Sequence, residues 1–282
     1  MEETRTDQAN IQQKLCLATV SSKEYWPGTK AMIQSFLRVN SWFVGELVII
    51  TSDRKYIENK LEKHPLRVRL IKPSDELSER IEWMFATQKE FGQRLMKLEL
   101  FNLTGYDRIL YYDSDIIHLA GIDRSVFLNN ELLAVSDPWF FRGFVRDRQT
   151  LGKVRISENE GDVYRHFFNS GFLMIGKRFI NPLIYKTLVS KIEPVLYKDL
   201  LDSLADEPVL NAVFENDFQP APVSNNCPVH LLVEGIIKEP VHSIHFTGRY
   251  KPWKFHSWFI LPMRSVKYFK FLIDWMKCYL KR

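Results

Sequence analysis

The stretch "RILYYDSDIIHL", Arg108 to Leu119, joins an apolar, strand-forming run to two aspartates that one serine separates. Carboxylates are poor strand formers and are costly beside a core, so the run predicts a buried strand, Arg108–Tyr112, that ends at the aspartates. Residues two apart on an extended chain point the same way, so Asp113 and Asp115 could converge on one point. The motif alone leaves two interpretations open: a turn, and a site for Mn²⁺ or Mg²⁺.

Short apolar segments alternate with helical patterns on both sides of this stretch. The other predicted strands are Lys14–Val20, Glu46–Thr51, Arg67–Ile71, Leu132–Ser136 and Phe172–Gly176. The predicted helices are Thr29–Val39, Arg54–Lys63 and Phe91–Thr104. This alternation predicts an α/β fold with a single, Rossmann-like, mostly parallel twisted sheet flanked by helices. In such sheets ligands gather at the carboxyl ends of the strands, where Asp113 and Asp115 are expected.

The composition excludes several classes of protein. The 282 residues are 45% hydrophobic and 26% charged, as in ordinary globular chains. The net charge of +5 is concentrated in 142–165 and the last thirty residues, which favours anionic ligands or a membrane surface over nucleic acid. The three cysteines have neither metal-site nor disulfide spacing, the beginning does not resemble a signal peptide, and no apolar run could span a bilayer. We therefore expect a cytoplasmic protein.

A second segment, "HFTGRYKPW" from His245 to Trp253, could complete a metal site. His245 is a potential third ligand, Gly248 gives the loop conformational freedom, and Lys251 is a compact cation suited to phosphate oxygens. The alternative is a surface loop with a core tryptophan.

Five segments together resemble glycosyltransferase family eight, the glycogenin-like and bacterial lipooligosaccharide galactosyltransferase-like enzymes of the GT-A fold. The resemblance extends from about Leu15 to Trp253, and the order of the segments is more specific than any one of them. They are "LATVSSKEYWPGT", "RLMKLELFNLTGYDRILYYDSDIIHL", "FFNSGFLMIG", "DEPVLN" and "HFTGRYKPW". The resemblance implies a UDP-sugar donor, UDP-galactose or UDP-glucose, with Mn²⁺ or Mg²⁺, and transfer with retention of anomeric configuration.

The resemblance also implies roles for individual residues at the nucleotide end of the site. The metal ligands would be Asp113, Asp115 and His245. The diphosphate would contact Gly248 and Lys251. The uridine pocket would be lined by Leu17, Ala18 and Thr19, with Tyr25 stacked on uracil. Ser114, Arg94 and Ser170 are added to the donor-binding set.

Other residues are assigned to the donor sugar. Lys97 would reach the sugar and its phosphate, and Asn169 would hydrogen-bond the sugar beside Gly171, which permits close backbone approach. Asp206 would hold sugar hydroxyls. Glu207 stands where the bacterial relatives carry an amide, and it could stabilise positive charge on the sugar or act as a nucleophile. The plain alternative for this pair is a helix start.

The predicted organisation is a GT-A domain over 1–253, an acceptor or lid loop over 137–165, and a basic, aromatic tail over 254–282. The tail predicts an amphipathic helix, which could anchor the protein on an anionic membrane surface over 264–282 or pack on its own domain. We expect a retaining hexosyltransferase that acts on a saccharide or lipid-linked saccharide in bacterial surface-glycan synthesis. The alternatives are a sugar nucleotidyltransferase and a catalytically silent sugar-nucleotide or glycan-binding protein.

Overall fold

A seven-stranded sheet lies at the centre of the structure. The computed structural model describes residues 13–61, 66–87, 89–146, 153–155, 167–197, 205–214, 216–238 and 240–280. Its strands are β1 (Leu15–Val20), β2 (Glu46–Ile50), β3 (Val68–Ile71), β4 (Arg108–Tyr112), β5 (Ile116–His118), β6 (Leu132–Ser136), β7 (Phe144–Arg146), β8 (Lys153–Arg155), β9 (Phe168–Gly176), β10 (Gln219–Ala221), β11 (Cys227–Pro228) and β12 (Ser243–His245).

Helices cover the sheet on both faces. They are α1 (Trp26–Val39), α2 (Arg54–Leu61), α3 (Asp75–Phe85), α4 (Lys89–Leu95), α5 (Arg124–Asn129), α6 (Pro182–Ser190), α7 (Pro194–Tyr197), α8 (Asp206–Phe214), α9 (Val229–Val233), α10 (Ser257–Arg264) and α11 (Lys267–Leu280). A 3₁₀ helix, Met96–Asn102, follows α4 directly.

The central sheet has the order β10-β6-β9-β4-β1-β2-β3. Neighbouring strands are parallel except where β9 pairs with β4 and with β6. Alternate residues of β1 enter opposite cores: Leu17 packs in the core that contains Phe36 of α1, and Ala18 packs in the core on the other face. The predicted α/β fold with a mostly parallel sheet is confirmed.

The predicted element bounds agree best where an apolar run is clearly delimited. β4 and β6 have the predicted bounds, and β1, β2 and β3 are each one residue shorter. The single helix predicted over Phe91–Thr104 is instead α4 followed by the 3₁₀ helix. β9 begins four residues earlier than predicted, and its pairing with β6 shifts register between Ala134 and Val135, which marks a bulge opposite Asn169–Phe172.

A smaller sheet brings the C-terminal part of the chain to the aspartate turn. Its order is β11-β12-β5, with β12 antiparallel to β5 and parallel to β11. Since β5 begins directly after Asp115, the pairing of His245 with Ile116 sets the histidine beside the turn. The Phe246 N–H also donates to the Asp115 carbonyl at 3.0 Å.

The C-terminal segment forms two helices with different surroundings. α11 packs on α1, and its buried side chains are Phe271, Leu272, Trp275 and Cys278. This contact matches the alternative in which the terminal helix covers its own domain. In the described part of the chain, no helix combines the length and the apolar character needed to cross a bilayer.

Candidate active site

A cleft opens at the carboxyl ends of β1 and β4, where the strand rule places ligands in α/β sheets. Residues from seven separate segments line it, so the site draws on most of the length of the chain. The lining residues are Val20, Ser21, Ser22, Glu24, Tyr25, Ser52, Gln93, Arg94, Met96, Lys97, Tyr111, Asp113, Ser114, Asp115, Asn169, Ser170, Asp206, Glu207, His245, Thr247, Gly248 and Lys251.

Asp113, Asp115 and His245 converge in this cleft, as the sequence predicts. Their ligand atoms lie within 4.8 Å of one another. The His245 Nε2 atom is 3.1 Å from Asp115 Oδ1 and 3.9 Å from Asp113 Oδ2. Adjacent ligands of an octahedral ion with bonds of about 2.1 Å lie about 3 Å apart, so small side-chain rotations would accommodate such an ion. Two carboxylates and an imidazole suit Mn²⁺ or Mg²⁺.

Backbone hydrogen bonds hold the aspartate turn between neighbouring strands. The Asp113 N–H donates to the Gly171 carbonyl of β9 at 2.9 Å. The Ser114 hydroxyl donates to the Val20 carbonyl and accepts from Thr29 Oγ1 at 3.0 Å. Although Ser114 lines the cleft, its hydroxyl is therefore used to fix the turn to β1 and α1. The predicted contact of Ser114 with the donor stays a prediction, and the hydrogen bonds of its hydroxyl stabilise the turn.

The electrostatics of Asp115 favour its charged form. Burial would raise the pKa of this carboxyl, but the charges of Lys251 and His245 and hydrogen bonds from both outweigh burial and hold the pKa well below its usual range. The Lys251 ammonium pairs with Asp115 Oδ2 and donates to the Phe246 carbonyl at 2.9 Å. Lys251 is therefore at the metal site, where we expected a contact for the diphosphate.

Lys97 connects the metal carboxylates with the opposite wall of the cleft. Its ammonium is 3.1 Å from Asp113 Oδ1 and 2.7 Å from Asp206 Oδ2, and it donates to Ser170 Oγ at 3.0 Å. Burial lowers the pKa of Lys97, but Asp113 and Asp206 reverse this and raise it overall. Burial likewise raises the pKa of Asp206, and the Lys97 charge and hydrogen bonds lower it overall. Both groups are therefore ionised near neutral pH.

Asn169 and Glu207 stand next to one another on the wall of the cleft that also carries Asp206. The Asn169 Nδ2 atom donates to Glu207 Oε1 at 2.6 Å. Asp206 and Glu207 occupy the first turn of α8 and also line the cleft, so a helix start does not exclude a ligand role, which stays a prediction. A Cβ atom on Gly171 would lie 2.6 Å from the His245 Cε1 atom, so the close approach at Gly171 is to the histidine ring.

The loop after His245 closes the cleft on one side. Gly248 has φ 82°, a left-handed conformation that is strained for residues with a side chain. Glycine at this position therefore permits the chain to turn back toward Lys251. The Tyr25 ring lies 5.4 Å from the Trp253 ring and 5.9 Å from the Lys251 ammonium. Tyr25 therefore borders the cleft, and its stacking on a base stays a prediction.

Three predicted residues are not in the cleft. Leu17, Ala18 and Thr19 are fully buried inside β1, because the strand is central and covered on both faces. The cleft is lined instead by Val20, Ser21 and Ser22 at the strand's carboxyl end. Ligands gather at the carboxyl ends of the strands in such sheets. The same rule that we used for β4 would have indicated Val20, Ser21 and Ser22 at the end of β1.

Sequence reasoning also missed two residues that support the site from within. Tyr111, the residue before last in β4, donates its hydroxyl to Asp113 Oδ1. Asn226 contacts both His245 and Asn169 through its side-chain amide. Tyr111 carried a weak signal, since it lies near the end of β4, two residues before Asp113. Asn226 carried none, because its partners are distant in sequence.

The chain belongs to glycosyl transferase family 8, since the sequence model of that family matches residues 16–257. Among solved structures, it is similar to the galactosyltransferase LgtC in complex with donor and acceptor sugar analogues. The identity is 18% over 91% of this chain and 94% of that chain, with a TM-score of 0.63.

Two further structures have the same fold. The bifunctional glycosyltransferase WbbM matches 96% of this chain and 50% of its own at 18% identity and a TM-score of 0.62. The glycosyltransferase GlyE of Streptococcus pneumoniae TIGR4 matches 95% and 61% at 16% identity and a TM-score of 0.59. A comparison with curated protein sequences found no match. Family and fold together define a glycosyltransferase of the GT-A type.

Proposed function

We propose that this glycosyltransferase transfers a hexose, galactose or glucose, from a UDP-sugar to a saccharide acceptor and retains the anomeric configuration. The observation that carries the proposal is the convergence of Asp113, Asp115 and His245 with Lys251, opposite Asp206 and Glu207. The wall with Asp113, Asp115 and His245 would hold a cation, and the wall with Asp206 and Glu207 offers carboxylates that can accept hydrogen bonds. These two different walls suit a substrate with an anionic diphosphate at one end and a sugar at the other.

The wall with the candidate metal ligands would bind the leaving group, the diphosphate of UDP. Asp113, Asp115 and His245 would hold the divalent cation, which neutralises charge that grows on the diphosphate as the bond to the sugar breaks. Lys251 is close enough to turn its ammonium from Asp115 to a phosphate oxygen once the cation compensates that carboxylate. Lys97 stays between Asp113 and Asp206, where its ammonium orients both carboxylates and its charge lowers the pKa of Asp206.

The opposite wall would bind the sugar. Asp206 and Asn169 would bind hydroxyl groups, and the Glu207 carboxylate would stabilise positive charge that develops on the ring. Among the described residues of the cleft, we assign no separate general base. We propose that the departing phosphate oxygen accepts the proton of the acceptor hydroxyl, which is a front-face route to retention.

The acceptor would enter beside the segment that follows β6. Arg142 pairs with Glu234, and its guanidinium lies 4.8 Å from the Trp139 ring. The His230 Nδ1 atom is 3.2 Å from the hydroxyl of Thr247, which lines the cleft. Aromatic and cationic groups at this edge suit a sugar that carries phosphate or acid groups. Most of the predicted 137–165 lid, including Arg148, lies outside the described residues.

An exposed apolar surface next to the cleft would hold the enzyme at an anionic membrane with a lipid-linked acceptor. We define this surface as Phe255, Phe259, Met263, Val266 and Phe269, which are all at least half exposed. Arg264, Lys267 and Lys270 provide positive charge along it, as interfacial helices require. The sequence pointed to the whole segment 264–282, but α11 buries its apolar side against α1. The proposed membrane contact therefore moves to α10, the residues on either side of it and the exposed face of the first turn of α11.

We propose a cytoplasmic enzyme of bacterial surface-glycan synthesis, for which the three buried, unpaired cysteines are suited to a reducing compartment. The test is a panel of UDP-sugars with Mn²⁺, with UDP release as the measurement, followed by NMR of the anomeric proton in the product. Release from UDP-galactose or UDP-glucose and a retained α-configuration are expected. Absence of release with every donor would favour the sugar-binding alternative, and pyrophosphate-dependent formation of UTP would favour a nucleotidyltransferase.

A further inference from the structure

Asn226 lies beside the strand that carries His245. It directly precedes β11, where Cys227 pairs with Ile244 and Pro228 with His245. The Asn226 residue is 1% exposed, and its N–H donates to the Val223 carbonyl at 3.1 Å. The fold therefore holds the Asn226 side chain in a fixed position inside the protein.

The side-chain amide of Asn226 connects the two walls of the cleft. Its Nδ2 atom is 2.6 Å from Asn169 Oδ1, and its Oδ1 atom is 2.8 Å from His245 Nδ1. Asn169 in turn donates to Glu207 Oε1 at 2.6 Å. A continuous series of hydrogen bonds thus joins the carboxylate that faces the sugar to the histidine of the metal site.

The donor and acceptor of each hydrogen bond in this series follow from the Gly171 N–H, which contacts the series at Asn169. The Gly171 N–H can only donate, and it lies 3.0 Å from the side chain of Asn169, so the atom it contacts is the amide oxygen. That oxygen also faces Asn226, which must present its NH₂ group there. The Asn226 oxygen then faces His245 Nδ1, which must carry the ring proton.

We propose that Asn226 is a positioning residue that fixes the tautomer and orientation of His245. With Nδ1–H held by Asn226, the Nε2 atom points at Asp115 and Asp113, and its lone pair becomes available to a cation that takes the place of the proton between Nε2 and Asp115. A hydrogen bond to the second ring nitrogen is how proteins commonly orient a ligating histidine and raise its basicity. Asn226 also hydrogen-bonds to Asn169 and so fixes the position of His245 relative to the wall that carries Asn169 and Glu207. The inference rests on the metal site of the proposed function.

The test compares Asn226→Ala and Asn226→Asp with the full-length wild-type protein. Mn²⁺ binding is measured by the EPR signal of free Mn²⁺ in the presence of UDP. Asn226→Ala removes the acceptor of the Nδ1 proton, and we expect Mn²⁺ affinity to fall ~10–100-fold. Asn226→Asp keeps an acceptor there and is expected to keep an affinity close to that of the wild type. Loss of its NH₂ donor to Asn169 is expected to lower turnover instead.

Asn225→Ala is the matched control. The neighbouring Asn225 makes a similar contact, with 3.2 Å between its Oδ1 atom and His242 Nδ1, outside the cleft. It should leave Mn²⁺ affinity unchanged, whereas His245→Ala should abolish binding. An Asn226→Ala variant that binds Mn²⁺ like the wild type, while His245→Ala does not, overturns the inference and leaves the proposed metal site intact.

A second measurement needs no metal. Nitrogen-15 NMR of the imidazole rings, recorded where each ring carries one proton, reports the tautomer of His245. We expect the Nδ1–H form in the wild type and in Asn226→Asp, and a mixture of forms in Asn226→Ala. An Nε2–H form in the wild type overturns the inference. If the wild type binds no Mn²⁺ at all, the metal part of the proposed function fails, and the tautomer still decides the role of Asn226.

Discussion

The Lys97 ammonium lies 2.7 Å from Asp206 Oδ2, and both side chains are buried at the base of the cleft. This ion pair joins the 3₁₀ helix after α4 to the first turn of α8, and the same ammonium reaches Asp113. A buried charge that contacts both walls makes the stability of the protein and the geometry of the site depend on one residue.

We expect Lys97→Met to destabilise the fold strongly. It would leave Asp113 and Asp206 without their cation, and breaking one partner of a buried pair typically costs ~3–5 kcal/mol. Urea unfolding measures the change in free energy. Lys72→Met is the control, because Lys72 forms an exposed pair with Asp75 at 3.1 Å, for which a loss below ~1 kcal/mol is expected. Equal losses in the two variants would contradict a structural role for the buried pair.

The difference between wild type and Lys97→Met should depend on pH with a defined sign. The pKa of Asp206 is lowered on folding, so its contribution is present above about pH 4 and is lost as pH falls through the folded-state pKa. The pKa of Lys97 is raised, so its contribution is present below about pH 10 and is lost as pH rises further. The stability difference should therefore be flat between about pH 5 and 10 and shrink in acid.

Gly171→Ala should weaken metal binding without a change of any ligand. The added methyl would lie 2.6 Å from His245 Cε1 and 2.8 Å from its Nδ1 atom, so the ring must move. Isothermal titration with Mn²⁺ in the presence of UDP measures the loss. Gly105→Ala is the control, because nothing lies within 4 Å of its added Cβ. Unaltered Mn²⁺ affinity in Gly171→Ala would show that His245 does not bind the ion from this position.

Glu207→Gln should lower turnover only modestly. Glutamine keeps an oxygen that accepts the hydrogen bond from Asn169, and only the charge that faces the sugar is lost. We expect a loss well short of the ~10²–10³-fold that follows removal of a directed catalytic dipole. Steady-state kinetics with UDP-sugar and Mn²⁺ provide the measurement. A collapse to background that azide or formate rescues would instead indicate a covalent glycosyl-enzyme.

The exposed apolar surface of α10 predicts binding to anionic vesicles. The double variant Phe259→Ser and Met263→Ser should sediment less with phosphatidylglycerol-containing liposomes than the wild type. Added salt should weaken the binding of both proteins to the liposomes. Point variants are preferable to truncation, since removing α11 would uncover α1. Trp83→Ser, a change at an exposed aromatic residue elsewhere, is the control. Equal sedimentation of all three proteins would contradict the membrane surface.

Local pattern was sufficient to predict most strands of the sheet and the position of the two aspartates. β4 could be predicted to the residue because the four apolar strand formers that follow Arg108 end abruptly at an aspartate. Its position in an α/β sheet then placed Asp113 and Asp115 at a ligand-binding edge. The segment His245–Trp253 offered His245 as a potential third ligand, and its proximity to the aspartates depends on the pairing of β12 with β5. No local pattern encodes that pairing.

The errors have physical causes as well. Asn169, Ser170 and Gly171 are typical turn residues, yet tertiary pairing on both sides extends β9 through them as a bulged strand. Leu17 to Thr19 were assigned to the uridine pocket by correspondence of motifs, whereas only the end of a doubly covered strand reaches the cleft. The tail helix has one amphipathic pattern, which cannot distinguish a lipid surface from α1 as its apolar partner.

The most direct test of the metal site is anomalous diffraction at the manganese edge from crystals grown with UDP and Mn²⁺. A single strong peak is expected, roughly 2.1 Å from Asp113, Asp115 and His245 Nε2, with the UDP diphosphate on its open side and Lys251 against a phosphate oxygen. A peak bound by the two aspartates with His245 turned away, or a diphosphate bound elsewhere in the cleft, would contradict the proposed site.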